Sequence, residues 1–129
     1  SGGNRRGRTA MRVYAIRGAI TVNADTDEEI TAASVELIRK IKEKNPEIKD
    51  VVSIVMSTTE DIRSFYPARA VRESGVMPAP IFSCKEPEID GALKLCIRAL
   101  VTVTSDDDGA TASHVYLGGA KELRKDLAQ

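Results

Sequence analysis

The chain predicts a mixed α/β fold, and two patterns carry that expectation. Short β-branched runs recur at Arg12–Arg17, Val51–Met56, Pro80–Cys84, Leu93–Thr104 and His114–Leu117. The longest, Leu93–Thr104, is too short and too rich in β-branched residues for an ordinary helix. Between the first two runs lies one long segment of apolar residues at helical spacing. The order β-α-β-α-β-β-β-α describes a single domain with one mixed five-stranded sheet, flanked by one long and two short helices. One long helix cannot cover both faces of such a sheet. The apolar face left over suggests self-association, most simply a closed ring.

Taken in order, Arg12–Val13–Tyr14–Ala15–Ile16–Arg17 alternates as a strand, and Gly18 follows where the backbone can bend or approach another segment closely. Asp25 and Thr26 offer helix N-caps, with Glu28 and Glu29 at capping-box positions. Ile30, Ala33, Leu37, Ile38 and Ile41 continue that helix until Asn45–Pro46 ends it. The strand Val51–Met56 breaks into the polar Ser57–Asp61. Pro67 suits the first turn of a short helix closed by Ser74–Gly75. Asp106–Asp107–Asp108–Gly109 is a solvated turn, since the rest of an EF-hand loop is missing. After the last strand, Gly118–Gly119 leads into a helical turn around Ala120–Arg124.

Composition narrows the function. The 129 residues are 42% hydrophobic and 29% charged, ordinary for a chain that folds around a core. Nineteen basic and nineteen acidic side chains cancel, which argues against nucleic-acid binding by general basic charge. With no tryptophan, three tyrosines and two phenylalanines, a base-stacking platform is also disfavoured. No apolar stretch approaches the ~20 residues that span a bilayer. Ser1–Ala10 is Gly- and Arg-rich without a hydrophobic segment, so it reads as no secretory signal. Met11 is a candidate native start, with residues 1–11 set aside as a disordered extension or cloning remnant and 12–129 taken as the domain. Cys84, Cys96 and the single His114 give neither a disulfide framework nor metal-ligand spacing. The default setting is the reducing cytoplasm.

The chemistry-bearing residues fall at strand ends and helix starts. Arg98 interrupts the otherwise largely apolar run Leu93–Thr104, which reads as a mostly buried strand. A guanidinium stays charged at every accessible pH, so if buried it needs an anion; Glu86 and Glu88 are the nearest upstream candidates. The alternatives are a purely structural ion pair, or an arginine on the solvated face of an edge strand. Arg17, Arg69, Arg72 and Arg98, with few carboxylates nearby, suggest a site for a small polyanion, most plausibly a dicarboxylate. Gly118–Gly119 forms no phosphate-binding fingerprint. His114 lacks a triad pattern and reads as structural. Cys84 is a nucleophile without a second histidine to activate it, or else a small buried hydrophobe.

Four blocks, in order across residues 12–127, carry a family resemblance. Ala15–Ile16–Arg17–Gly18–Ala19–Ile20–Thr21–Val22 resembles the opening of the small trimeric α/β class of chorismate mutases. Tyr66–Pro67–Ala68–Arg69–Ala70–Val71–Arg72–Glu73 is similar to that family's F-P-A-K/R-A-x-R segment. Cys84 to Arg98 resembles its C-x-x-E, G-x-L and C-I-R blocks, and His114–Val115–Tyr116–Leu117 matches its H-V-Y-L. Each block is weak alone; together they are specific.

The resemblance implies a cofactor-free and metal-free rearrangement of chorismate to prephenate in phenylalanine and tyrosine biosynthesis. It also implies a homotrimeric pseudo-barrel with sites between subunits, and neither nucleic-acid nor membrane partners. It places Arg98 at the substrate's ether oxygen, with Glu86 and the backbone of Cys84 at the ring hydroxyl. Arg17 and Tyr116 would meet carboxylate or ether oxygens, and Arg72 the other carboxylate. Tyr66, Ala68 and Leu123 would pack around the substrate. Arg69 stands where the family also takes lysine, and Arg124 lies in a C-terminal region that helps close the site. The cysteine-to-glutamate spacing is one residue short, leaving Glu86 and Glu88 both possible; counting back from Gly91 and Arg98 favours Glu86. Two rivals stand beside this expectation: a related trimeric enzyme acting on small imines or enamines, and a non-catalytic sensor of an aromatic-pathway metabolite.

Overall fold

A glycine in mid-strand decides how the helical layer meets the sheet. The computed structural model describes residues 11–123; residues 1–10, expected to be an extension, and Arg124 lie outside them. The first strand, β1, spans Arg12–Thr21 and runs straight through Gly18 rather than ending before it. A Cβ on Gly18 would lie 2.7 Å from Ile41 Cδ1 and 3.0 Å from Leu37 Cδ1. Both belong to the long helix α1, Asp27–Lys44. Glycine therefore serves close approach here, and the strand does not bend.

Thr26 caps α1, its side chain accepting the Glu29 N–H at 3.2 Å. Asp25, the other expected cap, instead accepts the backbone N–H groups of Arg63 and Ser64, which hold its carboxyl below the usual carboxylate range. Glu29 turns back to accept the N–H groups of Asn23 and Ala24. Ile30, Leu37, Ile38 and Ile41 are fully buried, each contributing about 1.5–3 kcal/mol of apolar burial. Ala33, expected on the same stripe, is only partly buried against the core.

The remaining elements are β2 (Asp50–Thr58), α2 (Pro67–Ser74), β3 (Ile81–Lys85), β4 (Cys96–Ser105), β5 (Val115–Leu117) and a 3₁₀ turn, Gly118–Glu122. Pro67 opens α2, and Gly75 closes it at φ 71°, a left-handed conformation that suits glycine. β4 starts later than the apolar run suggests. Leu95 sits at φ 50°, its N–H held by the Asp61 carboxylate at 3.0 Å, and this turns the chain before Cys96. His114 precedes β5 instead of opening it.

The sheet order is β3-β2-β4-β1-β5. β4 is central and antiparallel to β1 and β2, whereas β3 and β5 join the edges in parallel. This is the mixed five-stranded sheet with three helices that the sequence predicts. Ile97, Ala99, Val101 and Val103 of β4 share one core with Leu37, Ile38 and Ile41 of α1 and Val71 of α2. Both helices therefore lie on one face. The opposite face carries Leu100 at 41% exposure, Val13 at 58% and Phe82 at 70%. A small patch of it, Ala19, Cys96 and Ala120, is sealed by the 3₁₀ turn. No helix among the described residues is long and apolar enough to cross a membrane.

Polar contacts hold the short edge strand β5. Arg17 donates its backbone N–H to His114 Nδ1 at 2.9 Å. Buried Asn45 links the end of α1 to Ser113, accepting its N–H at 2.8 Å and donating to its carbonyl at 3.0 Å. Gly119 donates to Thr21 Oγ1 at 2.7 Å.

Gly18→Ala is expected to lower stability by about 1–3 kcal/mol, because the added methyl group overpacks a filled helix–sheet contact. A lower urea midpoint at unchanged slope checks this; an unchanged midpoint rejects it. A second expectation concerns acid. Partial burial, and then the Arg17 charge, hold His114 below the ordinary imidazole value of 6.5. The folded state therefore favours the neutral ring, and the unfolded chain takes up the proton first. The contribution is complete above about pH 6.5 and is lost as pH falls through the lowered folded value. His114→Asn, which keeps an acceptor but does not titrate, should lose less stability than wild type over that descent.

Candidate active site

Register assembles the site. Tyr116 pairs with Ala19, Ala19 with Arg98, Arg98 with Ser57, and Ser57 with Cys84. Directly paired residues point to the same face, so these five form one row across all five strands. The face is the one without helices. A neighbouring row holds Arg17, Leu100, Val55 and Phe82. Between the rows opens a cavity of 570 Å³ lined by Arg17, Ala19, Ser57, Cys84, Glu86, Arg98, Tyr116 and Leu123, among others. That lies within the roughly 300–1,000 Å³ of small-molecule sites.

Arg98 is not enclosed in a fully buried strand, as the apolar run suggests. β4 alternates, and the Arg98 side chain is 43% exposed in the cavity wall. Nor is β4 an edge strand. The nearest carboxylate is Glu86, whose Oε1 lies 3.5 Å from Arg98 Nη1. That distance gives Coulomb attraction without a close hydrogen bond. Glu86 follows β3, and its backbone N–H continues the ladder to the Thr58 carbonyl at 2.9 Å. Its other oxygen, Oε2, accepts a hydrogen bond from the Ser57 hydroxyl. Glu88 does not line the Arg98 cavity; it lines a separate depression with Glu60, at whose wall Glu86 also stands, and its hydrogen bond and then its charge raise the Glu60 carboxyl above the usual value. Of the two sequence candidates, Glu86 is the one that faces Arg98.

Cys84 is exposed at the sheet edge, so the buried-hydrophobe alternative does not hold; burial and a raised thiol belong to Cys96. His114 Nδ1 is occupied by the Arg17 amide, and a neutral ring accepting there carries its proton on Nε2. It is a strand fastener, in keeping with a structural reading.

The expected residues from α2 stand apart. Tyr66 and Arg69 line a second cavity, which shares Cys84 at its rim with the first. Arg69 pairs with Glu73 at 3.0 Å and lies 5.4 Å over the Phe65 ring. Arg72 is exposed, and Ala68 packs partly against the core; neither lines the Arg98 cavity. One chain thus brings together Arg17, Cys84, Glu86, Arg98, Tyr116 and Leu123, but not Tyr66, Ala68, Arg69 or Arg72. Ser57 is the functional candidate that the sequence does not single out. In linear order it looks like the start of a polar loop, and only its pairing with Arg98 and Cys84 reveals its place.

This combination has named counterparts. A family description, chorismate mutase type I, matches residues 13–127. The chain is 42% identical over 120 residues to the chorismate mutase AroH of Bacillus subtilis, covering 92% of this chain and 94% of that protein. It is 38% identical over 117 residues to chorismate mutase AroH of Thermus thermophilus, covering 89% and 96%. Among solved structures, a chorismate mutase from Clostridium thermocellum superposes with a TM-score of 0.76 at 37% identity, covering 84% of this chain and 98% of that one. With all of its sheet but Arg12, and both α-helices, inside the matched residues, the chain belongs to the type I chorismate mutase family.

Proposed function

We propose that this chain catalyses the rearrangement of chorismate to prephenate, with the Arg98 cavity as its reaction chamber. The observation that carries the reading is the convergence of Arg17, Arg98, Tyr116 and Glu86 on one open face of the sheet in a member of this family. Chorismate offers two carboxylates, an enolpyruvyl ether and a ring hydroxyl. Its reaction breaks the ether C–O bond and joins the enolpyruvyl methylene carbon to the ring. No proton or electron leaves the molecule. The protein therefore contributes by selecting the folded conformer and stabilising charge as it develops.

Because C–O cleavage runs ahead of C–C formation, negative charge grows on the ether oxygen. Arg98, fixed on the central strand, is the donor for that oxygen. Arg17 and Tyr116 hold carboxylate oxygens from the neighbouring strands. Glu86 and the Cys84 backbone receive the ring hydroxyl, and Leu123 adds apolar contact. Arg72, Arg69, Tyr66 and Ala68 are assigned to the same site from a second copy of the chain. This assignment is supported by their position outside the Arg98 cavity and by the exposed apolar face around it. A homotrimer of the pseudo-barrel kind, acting in the cytoplasm, completes the reading.

Arg98→Ala is expected to reduce kcat/KM by at least ~10²–10³, the cost of losing one preorganised donor to a developing oxyanion. Arg98→Lys should not restore it, since a point charge does not reproduce the guanidinium fork. Chorismate disappearance with prephenate as product is the assay. A folded wild type that leaves chorismate unchanged overturns the proposal. The shared site has its own test: Arg98→Ala and Arg72→Ala proteins are each assayed alone, then after joint unfolding and refolding. Sites built from two copies should regain activity in the mixture, where some interfaces combine an intact Arg98 with an intact Arg72. No gain on mixing places all the machinery within one chain.

A further inference from the structure

The Ser57 hydroxyl lies beside the charged pair of the site without belonging to the family blocks that point to it. Its residue is 8% exposed, it lines the Arg98 cavity, and it pairs in register with Arg98 on one side and Cys84 on the other. It donates to Glu86 Oε2, while Glu86 Oε1 stays 3.5 Å from Arg98 Nη1. Arginine and carboxylate left to themselves favour a bidentate, fork-to-fork pair with two close hydrogen bonds. Here one carboxylate oxygen is engaged elsewhere, and the remaining approach is long.

We propose that Ser57 is a positioning residue: by holding Glu86 Oε2, it keeps the carboxylate from closing bidentately on Arg98 and leaves the guanidinium free for the substrate. The hydroxyl is suited to the task because it is short, nearly buried and mounted on a paired strand. It restrains Glu86 in the orientation where the other oxygen faces the cavity. Without it, the acid is free to swing toward the strongest donor nearby. A guanidinium already capped on its fork by a carboxylate has two of its five N–H donors occupied and much of its field offset. This role rests on the proposed chorismate reaction, since it concerns the same arginine.

The test is a double-mutant cycle on chorismate turnover. Ser57→Ala should lower kcat by about tenfold to a hundredfold, the scale of one hydrogen bond to a charged group, with a smaller change in KM. Ser57→Thr, which keeps the hydroxyl, should recover most of that loss. In a Glu86→Gln background no ion pair can form with Arg98, so adding Ser57→Ala should cost at most about twofold. Ser57→Cys, similar in size but a weak donor, repeats the cycle should the alanine protein fail to fold. An equal loss with Glu86 and with Gln at that position would make Ser57 a packing residue and overturn the role. Unchanged kcat in Ser57→Ala would do the same. Inactive wild type would instead remove the functional reading, and this role with it.

Discussion

Arg98 occupies the central strand of the sheet, and a permanently charged group there constrains everything on its face. A helix packed over it would bury a guanidinium, at a cost that no single carboxylate at 3.5 Å offsets. Both helices accordingly lie on the other face, where β4 presents isoleucine, alanine and valine. Crowding them onto one side demands close packing, and Gly18 supplies it by letting Leu37 and Ile41 descend onto β1. The face left open becomes a shallow chamber with charged and apolar side chains side by side. Placement of one arginine thus links the packing of the core to the existence of the cavity.

The local parts of this fold are readable in the chain. Helix α1 declares itself by the spacing of its isoleucines and leucine and by Thr26, and α2 by Pro67 and Gly75. Their signals lie within a few residues of their effects. What escapes the sequence involves distant partners. β4 begins at Cys96 rather than Leu93 because Asp61, 34 residues earlier, fixes the Leu95 amide. Asp25 has the chemistry of a cap but serves the Arg63–Ser64 backbone, which only the folded loop brings near.

The site divides along the same line. Arg17, Cys84, Glu86, Arg98 and Tyr116 are legible through the family blocks, because those blocks happen to bracket the strands that carry them. Ser57 sits in no such block, and its meaning comes from register: a one-residue slip of β2 against β4 would send its hydroxyl to the helix face. The choice between Glu86 and Glu88 is likewise a matter of geometry. Counting residues favours the first, and the contact with Arg98 supplies the physical reason.

Strand pairing across the cavity is graded in a way that suits the proposed electrostatic reaction. Arg98 is carried by a strand paired on both sides over ten residues with β1 and along nearly all of β2. Tyr116 rides on a three-residue edge strand held by His114, by Asn45 through Ser113, and by Thr21. Glu86 lies just past the other edge strand, tied by one ladder bond and the Ser57 hydroxyl. Stabilising a charge that exists only during the reaction requires that the central donor not reorganise when the charge appears. Groups that recognise carboxylates and hydroxyls before and after the reaction face a different demand, because they must admit substrate and release product. Edge elements with few buried contacts open at lower free energy than central ones. On the proposed reaction, the sheet therefore places its most fully paired strand under the proposed donor Arg98, and its short edges under the groups proposed to bind the ligand's carboxylates and hydroxyl.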